Sequence, residues 1–234
     1  MKAVIFGGAD IDDYSFCKKY IDDDSIIICC DRGLLHADKL NIKPDYIVGD
    51  FDSVSEILLD KYEDLGFDID RYPAKKDYTD LEIGVNIAIE KGVEDIIIIG
   101  GIGSRIDHTF GNMHILYSLL EKNIKACLVN NYNHITLTNS KAVVKGKKGD
   151  IVSILPFMGD AEGVTLKGFE YSLTDFNMKF GQALGVSNVL LGDEGIVCVK
   201  KGCLAIIKAK DNWFKNCDGF KVVTVFCLIL NIYS

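Results

Sequence analysis

No Cys-x-x-Cys pair occurs among the eight cysteines, and Cys17, Cys29, Cys30, Cys127, Cys198, Cys203, Cys217 and Cys227 form no regular framework. A zinc site and a disulfide-stapled scaffold are therefore both disfavoured. Basic residues are short as well: 26 Lys and Arg stand against 34 Asp and Glu, a formal net charge of -8. Without a basic stripe to neutralise a phosphate backbone, no nucleic-acid partner is expected. No signal-like segment is visible, since Met1-Lys2 leads straight into Ala3-Val4-Ile5-Phe6 without a long apolar region or a small-residue cleavage site. The expected compartment is the cytoplasm, with reduced thiols. The longest apolar stretch, Val222 to Leu230, falls short of the roughly 20 residues that a membrane span needs. It reads as a strand, and no membrane partner is expected.

What remains is an ordinary globular composition, 48% hydrophobic and 26% charged, in a chain of 234 residues that is long enough for two modest domains. From the start to about residue 130, short β-branched runs alternate with segments of helical period, the pattern of a parallel sheet covered by helices. The expected strands are Ala3 to Phe6, Ile26 to Cys30, Tyr46 to Val48, Ile96 to Ile99 and Ala126 to Val129. Leu81, Val85, Ala88 and Ile89 form one apolar helix face, and Phe110, Met113, Leu116, Tyr117 and Leu120 a second. Past Asn130 to Asn133 the texture changes to short alternating segments between glycines and charged turns. These are Ile135 to Leu137, Ala142 to Val144, Ile151 to Leu155, Val164 to Leu166, Ile196 to Val199 and Leu204 to Ile207. Such spacing fits an all-β sandwich or barrel. The domains expected are thus residues 1–130 (α/β, Rossmann-like) and 131–210 (all-β), with 211–234 an unexplained tail.

In an open parallel sheet, ligands bind outside the carboxyl ends of the strands. Here those positions carry Gly7-Gly8, Asp31-Arg32-Gly33, Gly49-Asp50-Phe51-Asp52-Ser53 and Gly100 to His108, and Lys75 to Asp80 precedes a helix. Asp31, Asp50, Asp52, Asp77, Asp80 and Asp107 are expected to gather at one edge. So many carboxylates repel one another unless a cation lies between them, and Mg²⁺ bridging to nucleotide phosphates is the simplest remedy. If their loop is extended, Asp50 and Asp52 point to the same side. The glycine loops let backbone amides approach phosphates. They complete neither a P-loop nor a dinucleotide fingerprint. Each residue also has a structural reading: Asp52, Ser53 and Asp80 as helix caps, Arg105 as an ion-pair partner of Asp107, and His108 as a cap or packing residue. His36, His114 and His134 share no metal-ligand spacing and are set aside.

Pro44 to Ser53, then Lys76-Asp77-Tyr78-Thr79-Asp80, then Gly100 to Thr109 with Asn112, resemble the motifs of thiamin pyrophosphokinases in order and spacing. Gly163 to Leu173 and Gly185-Val186-Ser187-Asn188 continue the resemblance, which covers about residues 1 to 208. It implies an α/β catalytic domain, a C-terminal β-sandwich, and a homodimer with sites shared between subunits. The implied reaction moves pyrophosphate from ATP to the thiamine hydroxyl, giving thiamine diphosphate and AMP. By motif position, Asp31, Asp50, Asp52 and Asp80 line the Mg²⁺ and phosphate site, with Asp77 and Thr79 adjacent. Gly7, Gly8, Gly101, Arg105, Asp107, His108 and Asn112 lie on the nucleotide side, and Ser187 and Asn188 near thiamine. Ser104 departs from the family's usual glycine, a cost if the backbone there has positive φ. Two other readings stay open: a nucleotide-sugar transferase using Asp50-x-Asp52 with Mn²⁺, and a sensor that binds without catalysis.

The family resemblance ends before the tail. A chain ending at Lys210 is therefore expected to stay soluble and active in an assay of thiamine diphosphate formation, whereas insolubility would mean that the tail completes the core.

Overall fold

The computed structural model describes residues 1–71 and 78–210. The role expected of Asp77, and the expectations for the tail at 211–234, lie outside these residues. The first half contains β1 (Lys2–Phe6), a 3-10 helix (Tyr14–Tyr20), β2 (Ile26–Cys30), α1 (Gly33–Leu40), β3 (Tyr46–Gly49) and α2 (Glu56–Asp64). It continues with β4 (Ile69–Arg71), α3 (Asp80–Glu90), β5 (Asp95–Ile99), α4 (Ile106–Glu121) and β6 (Lys125–Val129). Only strands follow: β7 (Asn133–Thr138), β8 (Lys141–Lys145), β9 (Ile151–Lys167), β10 (Leu173–Met178), β11 (Asn188–Val189), β12 (Glu194–Cys198) and β13 (Lys201–Ala209).

Strands β4-β3-β2-β1-β5-β6 lie in that order and are parallel. Their near-continuous apolar sequences follow from burial on both faces. In β1, Ala3 and Ile5 enter a core shared with α3 and α4, while Val4 and Phe6 enter another with α1 and α2. The two-residue period of a strand divides them in this way. All five expected strands are present. The sixth, β4, has three residues, two of them exposed, which leaves no apolar signature.

Helix α3 begins at a reciprocal cap: the Thr79 hydroxyl accepts from the Glu82 amide at 3.2 Å, and the Glu82 carboxylate accepts from the Thr79 amide at 2.8 Å. Asp80 is thus the first helical residue and not the cap. In α4 the buried face is Ile115, Leu116 and Leu119, one step around from the expected stripe. The expected Met113, Tyr117 and Leu120 instead pack on Phe157, Cys203 and Ala205 of the β-rich part. Phe110 remains 55% exposed. One helix therefore covers two regions, and the expected stripe runs along the boundary, with Leu116 in the first core, Tyr117 and Leu120 on the second, and Met113 against both.

At Asn130 to Asn133 the chain reverses, and β7 pairs antiparallel with β6. The sheet then continues through β13, β9, β12 and β8. Two expected strands, Ile151 to Leu155 and Val164 to Leu166, are a single 17-residue strand, β9. Positive φ at Met158, Gly159 and Gly163 bends it. Its first part pairs with β13 and β11, its second with β12 and β10. Val152 and Ile154 from one part share a core with Val164 and Leu166 from the other. The protein is a mixed α/β structure with parallel strands first and a β-rich C-terminal part. Among the described residues, no helix is long and apolar enough to cross a membrane.

Two glycines make opposite demands. A Cβ on Gly33, where α1 meets β1, would stand 1.9 Å from the Phe6 carbonyl oxygen, whereas one on Gly111 in α4 would meet nothing within 4 Å. In thermal unfolding, Gly33→Ala is expected to lower stability by about 2 kcal/mol or more, and Gly111→Ala to raise it by about 0.5–1 kcal/mol.

Candidate active site

Chain order reverses between β1 and β5, which places a crevice at their carboxyl ends. The two following loops meet there. The Gly7 amide donates to the Ile99 carbonyl at 2.7 Å, and the Ala9 amide to the Gly100 carbonyl at 2.9 Å. Gly100 has φ 72°, and a Cβ on it would lie 2.4 Å from the Gly7 oxygen. No residue with a side chain fits. The Gly7 amide is thus already engaged by backbone.

On the neighbouring strands β2 and β3, the loops deliver three carboxylates. Oxygens of Asp31, Asp50 and Asp52 lie within 4.8 Å of one another. The intervening loop is not extended: Phe51 has φ 58° and its ring is buried in the core. The two aspartates converge because this anchored ring turns the backbone, and not through strand alternation. Ser53, read as a possible cap, donates its hydroxyl to Asp31 Oδ2 at 2.7 Å. Asp31 Oδ1 is buried without a hydrogen-bond partner.

Burial pushes the Asp31 carboxyl above its usual pKa. Hydrogen bonds from Ser53 and the Arg32 amide oppose the shift, and the charges of Asp80 and Asp50 add to it. A buried carboxylate oxygen without a donor, amid further negative charge, is unfavourable unless a cation meets it. Hard oxygen ligands in this number suit Mg²⁺. The residues present therefore fit the ion.

The remaining expected residues separate into distinct groups. Asp107 does not join the carboxylates; it accepts from Arg105 at 2.7 and 3.3 Å on the exposed start of α4. That pairing holds the Asp107 carboxyl below its ordinary pKa. His108 is exposed in the first turn of α4 and is not a core residue. Asn112 donates to the Gly101 carbonyl at 2.7 Å, and the buried Thr109 hydroxyl accepts from the Gly103 amide at 3.2 Å. Together they fix the loop after β5. Ser104 is not among the residues with positive φ, so serine costs nothing there. Thr79 is occupied by its capping box, and Gly8 lies beside Arg32, which pairs with Asp10 at 2.9 Å.

In the β-rich part, Ser187 is exposed with φ 56°, its amide donating to the Ser153 hydroxyl at 3.0 Å. Asn188 is 1% exposed. Its amide group donates to the Tyr171 carbonyl at 2.8 Å and accepts from the Tyr171 amide at 3.0 Å. Both ends of this side chain are thus engaged by backbone.

Two family models match in sequence order: thiamin pyrophosphokinase, catalytic domain, over residues 17–128, and thiamin pyrophosphokinase, vitamin B1 binding domain, over residues 134–204. The chain belongs to the thiamin pyrophosphokinase family. A thiamine pyrophosphokinase of Bacillus subtilis is 33% identical over 194 residues, covering 82% of this chain and 91% of its own length. A crystal structure of thiamine pyrophosphokinase from that organism matches with a TM-score of 0.83 at 31% identity, over 90% of this chain and 100% of the other. The thiamin pyrophosphokinase from Geobacillus thermodenitrificans gives 0.79 at 29% identity, over 91% and 99%. This membership decides against the nucleotide-sugar transferase.

Asn188 gives a direct test of the local geometry. Because Asn188→Ala removes a buried side chain that holds both backbone groups of Tyr171, it should destabilise the protein by about 2 kcal/mol in chemical denaturation, while Ser187→Ala stays within about 0.5 kcal/mol.

Proposed function

We propose that this thiamine pyrophosphokinase carries out its reaction at the carboxyl edge of the parallel sheet. Pyrophosphate passes from ATP to the hydroxyl of thiamine, and thiamine diphosphate and AMP are the products. The observation that carries this placement is the trio Asp31, Asp50 and Asp52, with its unpartnered buried oxygen, beside two glycine loops that touch at the switch point.

Asp31, Asp50 and Asp52 would hold Mg²⁺, with Asp80, whose charge acts on Asp31, beside them. A bound Mg²⁺ would supply neutralisation of phosphate charge that otherwise repels an incoming hydroxyl. Ser53 keeps one oxygen of Asp31 engaged and leaves the other to serve as a ligand. Gly8 and Gly101 allow the nucleotide's phosphates close to the backbone, and Thr109 and Asn112 keep the second loop in shape. Arg105 is exposed, and among the described residues its guanidinium bonds only to its neighbour Asp107. Its planar guanidinium can exchange that partner for a phosphate at little cost, since exposed pairs contribute little. His108, three residues on from Arg105, adds a donor to the same side. Positioning and charge neutralisation supply most of the acceleration in such a transfer.

Residues 1–130 form the catalytic domain and 131–210 a β-sandwich that receives thiamine, in keeping with the core shared by both parts of β9. Ser187 offers a hydroxyl to thiamine, and Asn188 acts through the Tyr171 loop that it holds. The enzyme works as a homodimer, and Phe180, Leu184 and Val186, apolar and exposed in one short stretch of chain, are in keeping with this. The cytoplasm is its compartment.

Two measurements test this reading. Phosphorus NMR of a reaction with ATP, Mg²⁺ and thiamine should show AMP and thiamine diphosphate rising in equal amounts. ADP with thiamine monophosphate would overturn it. Asp50→Asn and Asp52→Asn should each lower kcat by about a thousandfold or more with unchanged folding by circular dichroism, because a ligand charge is lost.

A further inference from the structure

We propose that His36 is a positioning residue for the two phosphate-facing loops, acting through the carbonyl of Ala9. The inference rests on reading those loops as the seat of the nucleotide. His36 lies on α1, outside every motif of the sequence, and is 5% exposed. Its Nε2 lies 2.9 Å from the Ala9 carbonyl oxygen and its Nδ1 2.7 Å from the Tyr14 hydroxyl. A carbonyl only accepts, so Nε2 carries the proton, and in the neutral ring Nδ1 accepts from Tyr14. The tautomer is fixed by its two partners. Burial holds the imidazole below its ordinary pKa; the Ala9 carbonyl and Asp10 oppose that shift, and Lys39 and Arg32 add to it.

Ala9 is where the two loops are joined. Its amide donates to the Gly100 carbonyl at 2.9 Å, and a Cβ on Gly103 would stand 2.8 Å from its methyl group. The loop after β1 is therefore held on one side by the loop after β5 and on the other by His36. Phe6 and Tyr14 pack around the imidazole, with ring centroids 6.4 and 5.7 Å away. A leucine at this position would fill the space without the desolvation cost of a buried ring nitrogen. What only the imidazole supplies is a directed bond to Ala9, and such a satisfied buried polar contact specifies one backbone position among several of similar packing. Small displacements of phosphate-binding backbone are costly to transfer chemistry.

Steady-state kinetics on the intact protein test the assignment with His36→Leu, His36→Gln, Tyr14→Phe and, as a control in the loop itself, Gly7→Ala. His36→Leu is expected to raise the KM for ATP by about tenfold and leave that for thiamine within about twofold, as the loss of one buried hydrogen bond would do. His36→Gln, which can still donate to Ala9, should recover most of the loss. Tyr14→Phe leaves the ring in place but frees its tautomer, and should raise the ATP KM about threefold even if His36→Leu does not fold. An unchanged ATP KM in both His36→Leu and Tyr14→Phe, equal losses for both substrates, or a glutamine variant as impaired as leucine would each overturn the inference. If Gly7→Ala alone raises the ATP KM, the loops bind the nucleotide and only the role of His36 fails. If Gly7→Ala also leaves it unchanged, the loop reading itself fails. A wild-type protein that makes no thiamine diphosphate would defeat the function before either.

Discussion

The contact between Gly7 and Gly100 is the constraint around which the molecule is arranged. Two backbones meet there with no room for a Cβ, at the one place in the parallel sheet where successive strands go to opposite sides. Everything to one side, β2 and β3 with their loops, contributes carboxylates. Everything to the other, β5 and the start of α4, contributes a glycine-rich turn, an arginine and an asparagine. A bulky residue at either glycine would force the loops apart and separate these two sets. The placement of the carboxylate trio on one side and of the glycine-rich turn on the other follows from strand order and not from proximity in sequence.

Within the acidic wall, the residues are not equivalent. Asp31 is partly buried, bonded on one oxygen by Ser53 and unpartnered on the other, whereas Asp52 is exposed and Asp50 accepts from the Asp52 amide at 3.2 Å. Asp31 is thus the most constrained of the three, an asymmetry that would suit the proposed cation site.

Much of this was legible in the residues. Runs such as Ile26 to Cys30 and Ile96 to Ile99 are buried on both faces and so lack alternation, yet their length and β-branching mark them as strands. The loop positions of Asp31, Asp50 and Asp52 followed from those strands, their gathering at one edge from the geometry of a parallel sheet, and the need for a cation from their mutual repulsion. What composition could not reveal lay in backbone geometry. Phe51 in the left-handed region, not an extended loop, brings two aspartates together. Residues Ile151 to Leu155 and Val164 to Leu166 look like two strands because glycines separate them, and they are one because those glycines bend a ladder without breaking it. Asn188 was expected near the vitamin, but its bonds to Tyr171 are visible only when distant segments are seen together. His36 carried no spacing signal, since its partners come from a glycine loop and a 3-10 helix.

Helix α4 bears on both regions, the parallel strands through Leu116 and Leu119 and the β-rich part through Tyr117 and Leu120. The β6–β7 ladder is uninterrupted alongside it. Such an arrangement leaves little room for a hinge at the β6–β7 seam among the described residues. Enzymes built from two bodies often enclose their reactants by swinging one against the other, but here a helix spans the seam like a splint. Approach and departure of small molecules must be governed by side chains and short surface loops, so the slowest motions of the turnover cycle are expected to be local and not a flexing of the whole molecule.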